Sequence, residues 1–166
     1  MSLKIIHTAD WHLGQTFFGY DRDEEHEAFL SWLIDILTLR QPDVLLIAGD
    51  VFDVANPSAA AQRRFFRFLR EANRRNPQLQ IVIIAGNHDS AARLEAPIPL
   101  LEELNTSIVG AVPRTDLCKI DFDSLLIPLY NKEGKREAIC LAVPYLRQGD
   151  YPASKEGKDT YVEGVT

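Results

Sequence analysis

Asp43-Val44-Leu45-Leu46-Ile47-Ala48-Gly49-Asp50-Val51-Phe52-Asp53 is the stretch that decides the fold. Its apolar run Val44 to Ala48 is short, largely branched and bounded by polar residues, which predicts a strand buried on both faces. Strands of that kind belong to parallel sheets, and open α/β sheets place their chemistry at the carboxyl ends of the strands. Gly49 and Asp50 stand at such an end.

The same arrangement recurs on either side. Downstream, the apolar run Ile81 to Ala85 gives way to Gly86-Asn87-His88-Asp89; upstream, a strand over Leu3 to His7 leads to Asp10-Trp11-His12. Between them, Phe29, Leu30, Leu33, Ile34 and Leu37 recur at helical spacing, predicting a helix from about Asp23 to Arg40 that Pro42 ends. Ser58 suits the N-cap of a second helix, closed by Asn76-Pro77. A third helix near Pro99 to Leu104 leads to a short strand, Ser107 to Val109. Strand and helix in alternation predict an α/β fold of parallel βαβ units. Beyond residue 110 the texture changes: Leu117 to Phe122, Leu125 to Tyr130 and Ala138 to Val143 read as short strands of a second sheet packed on the first.

Composition narrows the function classes. With 166 residues, 46% hydrophobic and 25% charged, the chain is globular material for one domain rather than a disordered segment. A formal charge of -6, from 18 Lys and Arg against 24 Asp and Glu, gives no bulk sign of nucleic-acid binding, although bound cations would reverse the local charge of a ligand cluster. No signal peptide is visible, and no apolar stretch approaches the ~20 residues that cross a bilayer. Cys118 and Cys140 form no CxxC pattern and read as reduced, buried thiols of a cytoplasmic protein.

Asp10 and His12, two apart at a strand end, project to one side and can chelate one divalent ion. Asp50 can bridge two ions, and Asn87 offers a neutral amide oxygen. Such mixed oxygen and nitrogen donors suit manganese, iron or zinc better than calcium. Two ions about 3.5–4 Å apart would activate water for attack on phosphorus. His88 is placed to stabilise or protonate the departing oxygen, and Asp53 to hold its other ring nitrogen. Capping duty alone is the plainer alternative for these Asp and Asn residues.

These motifs resemble the calcineurin-like metallophosphoesterase superfamily, with its D-x-H, G-D-x-x-D and G-N-H-D/E segments. Residues 7–14, Gly49 to Asp53 with Asn56-Pro57-Ser58, and Gly86 to Ser90 with Arg93-Leu94 are more narrowly similar to the SbcD family of bacterial nuclease subunits. The resemblance implies two packed mixed β-sheets flanked by helices, and Asp10, His12, Asp50 and Asn87 as ligands of two divalent ions, Mn2+ foremost, with Mg2+, Fe2+ or Zn2+ possible. It implies His88 and Asp53 in catalysis, DNA ends and hairpins as substrate, a partner like the SbcC ATPase, a homodimer and no membrane association. It also implies three further metal-binding histidines downstream, for which this sequence has no counterpart. The expectation is therefore one incomplete nuclease domain over 1–166, cut on its C-terminal side, lacking the capping and SbcC-binding regions, with weak metal binding and little activity of its own.

Two other functions stay open: a metallophosphatase or small phosphodiesterase of the same superfamily, and a non-catalytic fragment or binding module. Among the remaining residues, His7 reads as a core histidine and His26 as a solvated helix residue. Arg63, Arg67, Arg70 and Arg74, with Arg64 and Arg75 beside them, read as a solvated helix face, with DNA or partner contact the alternative. Trp11, Phe17, Phe18 and Tyr20 are suited to core packing, loop anchoring or base stacking.

Overall fold

A computed structural model describes residues 2–101, 104–115, 119–147 and 150. Its elements run β1 (Ile5–Thr8), β2 (Thr16–Phe17), β3 (Tyr20–Asp21), α1 (Asp23–Arg40), β4 (Val44–Ala48), α2 (Ala59–Arg75), β5 (Gln80–Ile84), α3 (Ala91–Glu95), α4 (Ile98–Leu101), β6 (Thr106–Val109), a 3-10 turn (Asp123–Leu125), β7 (Leu126–Tyr130) and β8 (Arg136–Leu141). Strands β1, β4, β5 and β6 form a parallel sheet in that order, β7 and β8 an antiparallel pair, and β2 and β3 a small hairpin. The architecture is α/β.

The alternation of side chains along β4 and β5 builds two cores. Leu45, Ile47, Ile81 and Ile83 pack with Leu30, Leu33 and Leu37 of α1 and with Phe65 and Leu69 of α2. Val44 and Val82, with the half-buried Leu46 and Ile84, pack instead with Leu129, Ile127 and Ala138 of the β7–β8 pair. Helices thus cover one face and the antiparallel pair the other, which is why both strands read as continuously apolar.

Strand β1 lies at the sheet edge, and its residues alternate between exposed and half-buried. His7 is therefore exposed, not a core residue. His26 departs from expectation in the opposite sense. Only 5% of it is exposed, because α1 turns it inward towards Arg64 of α2 and the loop that follows β1.

The helix boundaries have local causes. Gln41 adopts a left-handed conformation, and its N–H caps the Leu37 carbonyl just ahead of Pro42. Ser58 Oγ accepts the Ala61 N–H at 3.1 Å, a cap worth about 1 kcal/mol. Arg64, 8% exposed, clasps α1 by pairing with Asp23 and Glu27, and Arg67 also pairs with Glu27. Arg75 reaches Asp35 and Glu71, and Arg74 reaches Glu71. Much of the arginine face is thus an ion-paired helix–helix clasp, and Arg63 and Arg70 have no ion pair among the described residues.

Towards the end of the chain, a short α3 precedes α4, which starts earlier than expected with Pro99 in its first turn. Part of the expected strand Leu117 to Phe122, with Cys118, lies outside the described residues; Ile120 bridges Arg114. Cys140 is a free, half-buried thiol whose pKa burial raises. Among the described residues no helix is long and apolar enough to cross a membrane.

Candidate metal centre

The three loops that leave β1, β4 and β5 are tied edge to edge. Asp10 N–H donates to the Gly49 carbonyl at 3.1 Å, His12 N–H to Asp50 at 2.9 Å and Leu13 N–H to Val51 at 3.0 Å. Gly49 N–H reaches the Ile84 carbonyl at 3.1 Å. The parallel pairing is thereby carried past the strand ends, which presents the side chains of all three loops along one rim.

Backbone conformation turns those side chains together. Asp10, His12 and Asp50 all have left-handed φ, at 55°, 47° and 47°, and Gly49 lies at 85°. A left-handed conformation costs a non-glycine residue about 1–2 kcal/mol. Three such residues in two adjoining loops mark a site where geometry prevails over local stability. Trp11, between Asp10 and His12, anchors the first loop. It is 5% exposed, packs edge-on against Phe29, Phe65 and Phe68, and donates Nε1–H to Thr8 Oγ1 at 2.9 Å. Of the aromatics named for base stacking, Trp11 is thus a core residue, whereas Phe17, Phe18 and Tyr20 stand exposed on the β2–β3 hairpin.

Two overlapping clusters result. Ligand atoms of Asp10, His12 and Asp50 lie within 4.8 Å of one another, as do those of His12, Asp53 and His88. His12 Nε2 is 3.8 Å from Asp50 Oδ2, and the His12 and His88 rings meet edge-on with centroids 4.9 Å apart. Asp50 is buried and its Oδ1 accepts the His88 N–H at 2.9 Å. Asn87, just before His88, is exposed and shares none of the hydrogen bonds that join Asp10, His12 and Asp50. Two carboxylates and an imidazole gathered in this way fit a borderline divalent cation.

Asp53 divides its two kinds of oxygen between the histidines. Its main-chain carbonyl accepts Nδ1–H of His88 at 2.6 Å, while its carboxylate Oδ1 meets His12 Nδ1 at 3.2 Å. Asp53 thus holds the ring nitrogen of His88 through its backbone carbonyl. That hydrogen bond raises the His88 pKa above its ordinary value, with help from the charges of Asp50, Asp53 and Asp89.

Three contributors escaped the sequence reading. Asp89 is 1% exposed, and its carboxylate accepts the N–H groups of Val51, Phe52 and Gly86 at 3.2, 3.0 and 2.9 Å, locking the second loop to the third. Its place directly after Gly86-Asn87-His88 was the available signal. Arg147 lies in a part of the chain with no motif, yet its Nη2 donates to the Asp89 carbonyl at 2.6 Å, with the guanidinium 5.7 Å from the Tyr145 ring. His26 lines a cavity of about 320 Å3 together with Thr8, Asp10, His12, Gln15 and Arg22. Its pKa is lowered by burial and then by the charges of Arg22 and Arg64.

Residues 3–150 match the calcineurin-like phosphoesterase family. Among curated proteins, the chain is 48% identical to the SbcD component of the SbcCD nuclease of Rhodobacter capsulatus over 163 residues, covering 98% of this chain and 40% of that protein. It is 34% identical over 155 residues to the protein of the same name from Escherichia coli (strain K12), covering 93% and 36%, and 40% identical over 122 residues to that of Bacillus subtilis (strain 168), covering 74% and 31%. The chain thus spans two fifths or less of the length of these relatives. The family match, which covers all three loops of the candidate metal centre, and the α/β architecture agree: the chain belongs to the calcineurin-like phosphoesterase family.

Proposed function

We propose that the chain carries the ligand-bearing part of a Mn2+-dependent DNA phosphodiesterase, working in DNA repair and recombination as a two-component nuclease with an ATPase of the SbcC kind. The observation that carries this reading is the convergence of Asp10, His12 and Asp50 at adjoining strand ends, in a chain 48% identical to the SbcD component of an SbcCD nuclease. Asp10, His12, Asp50 and Asn87 would hold the ions, with Asp50 between them. Bound divalent ions supply charge neutralisation at phosphorus and an acidified water.

The protein groups have separable duties. The Asp53 carbonyl accepts the His88 Nδ1 proton, so Nε2 faces outward, and the raised pKa favours the imidazolium. In that state Nε2–H donates to a phosphate oxygen or protonates the departing one. The Asp53 carboxylate accepts Nδ1–H of His12, which leaves the Nε2 lone pair directed to the side where Asp50 Oδ2 lies. Homodimerisation and a cytoplasmic location belong to the same proposal.

The test is degradation of an end-labelled linear duplex with Mn2+, beside the His88→Ala variant and a phosphomonoester substrate. Diester cleavage that requires Mn2+ and is lost in the variant supports the reading. Preference for the monoester favours a phosphatase, and Mn2+-independent cleavage overturns the assignment.

A further inference from the structure

A chain of side-chain hydrogen bonds runs from α1 to the metal centre and uses two residues to which neither the family motifs nor the proposed reaction gives a role. Arg22, the residue before α1, donates Nη1–H to Gln15 Oε1 at 2.6 Å. Gln15 donates Nε2–H to Asp53 Oδ1 at 3.1 Å, and the same Oδ1 meets His12 Nδ1 at 3.2 Å. Behind Arg22, the Glu25 carboxylate pairs with its Nε.

The polarity of the chain is forced at each link. Arg22 can only donate, so the carboxamide oxygen of Gln15 faces it; the amide nitrogen is then the end that faces Asp53. A carboxylate can only accept, so His12 presents Nδ1–H to it and keeps its lone pair on Nε2. A flipped Gln15 would set NH2 against guanidinium and oxygen against carboxylate. The backbone builds the link as well: the β2–β3 hairpin folds residues 16–21 back, and Arg22 N–H reaches the Gln15 carbonyl at 3.3 Å, while Gln15 N–H reaches the His12 carbonyl at 3.0 Å.

We propose that Gln15 and Arg22 are positioning residues for His12, acting through the carboxylate of Asp53. They fix which ring nitrogen of His12 faces Asp10 and Asp50, and hence its readiness to bind a divalent cation. The proposal rests on the metal-centre reading for its consequence, but not for its first observable, the tautomer of His12 in the metal-free protein.

The experiment compares wild type, Gln15→Met, Arg22→Met and Arg22→Lys in the purified protein. Ring-nitrogen NMR reads the His12 tautomer, and competition with a chromogenic chelator reads Mn2+ affinity. Wild type is expected as the Nδ1–H tautomer. Gln15→Met and Arg22→Met should show mixed tautomers and Mn2+ affinity weakened about 10- to 100-fold, as found when partners of a ligating histidine are removed. Arg22→Lys keeps a donor and should recover most of both. Unchanged His12 signals in Gln15→Met overturn the proposal, and so does a fall in affinity with those signals unmoved, since the effect would then run through the loop and not the ring. Should Gln15→Met fail to fold, the Arg22 pair decides by the same readings. If wild type takes up no Mn2+, the metal reading fails, and the tautomer comparison alone upholds or overturns the relay.

Discussion

Gly86 and Asp50 are in such close contact that a Cβ on Gly86 would stand 2.1 Å from Asp50 Oδ1 and 2.4 Å from the Asp50 main-chain nitrogen. No side chain fits there, and the backbone atom cannot swing away as the end of a flexible group would. Gly49, at φ 85°, also meets Gly86, whose Cα would lie 3.2 Å from a Cβ added to Gly49. The position of Asp50 thus depends on two loops meeting glycine to glycine. Gly86→Ala is expected to destabilise the fold by about 3 kcal/mol, the upper end for forced overpacking, and to displace Asp50. Urea denaturation and Mn2+ titration check the two effects; an alanine variant with wild-type values in both would contradict the close contact.

Asp89 ties the same loops by charge. Its buried carboxylate accepts three main-chain N–H groups, and an asparagine would turn an NH2 towards at least one of them. Asp89→Asn should cost about 3 kcal/mol, given roughly 1.5–3 kcal/mol for hydrogen bonds to a charged group. Amide hydrogen exchange at Val51, Phe52 and Gly86 should accelerate more than at Ile81 or Ile83 in the strand core.

Trp11 offers a test of anchoring from the apolar side. Truncation to alanine opens a cavity among Phe29, Phe65 and Phe68 and should cost about 3–5 kcal/mol. Trp11→Phe keeps most of the packing but loses the bond to Thr8, so it should fall well short of that loss. Thermal unfolding of the two variants distinguishes a core anchor from an exposed stacking residue.

Residue pattern alone revealed much of this molecule, for identifiable reasons. Apolar runs buried on both faces located β4 and β5 within a residue, and helical spacing with Pro42 and Ser58 located α1 and α2. The gathering of Asp10, His12, Asp50 and His88 at one place was legible because each follows a strand end. What escaped was tertiary. His26 lies four residues before Leu30 on the buried stripe of α1, so its burial was in the spacing, but its meeting with Arg64 was not, nor was the edge position of β1 that leaves His7 in water. Main-chain acceptors leave no mark on residue identity either, so which oxygen of Asp53 holds His88 was not in the sequence.

His26 predicts a pH effect whose sign follows from burial. Its folded pKa lies below the ordinary 6.5, lowered by burial and by Arg22 and Arg64 against the opposing charges of Asp23 and Glu25. The unfolded chain therefore binds the proton first as pH falls. The contribution to stability is complete above pH 6.5 and is lost progressively as pH drops from there through the folded value. Nδ1 has no hydrogen-bond partner among the described residues, so His26→Leu removes a buried polar atom without orphaning another there. Stability of His26→Leu measured by urea at pH 7.5 and 5.5 should change less between the two than wild type does; an equal change would assign the effect to other groups.

The arginines of α2 separate cleanly into two classes. Arg64 is 8% exposed, with Nε 2.9 Å from Glu27 Oε1 and Nη1 2.8 Å from Asp23 Oδ1. Removing it leaves Asp23 without its cation and Glu27 with Arg67 alone, and opens space beside His26. Arg63 and Arg70 have no ion pair among the described residues, so their truncation breaks none. Arg64 holds the Asp23 carboxyl below its ordinary value, and at Glu27, where burial pushes the pKa up, Arg64 and Arg67 together bring it below its own; that stabilisation is present above the unfolded values and lost as pH falls through the folded ones. Arg64→Ala should therefore destabilise by about 1–3 kcal/mol and flatten the acid limb of the stability curve, whereas Arg63→Ala and Arg70→Ala should stay within about 0.5 kcal/mol. Retention of the acid limb in Arg64→Ala would show that the clasp between the helices is held by another pair.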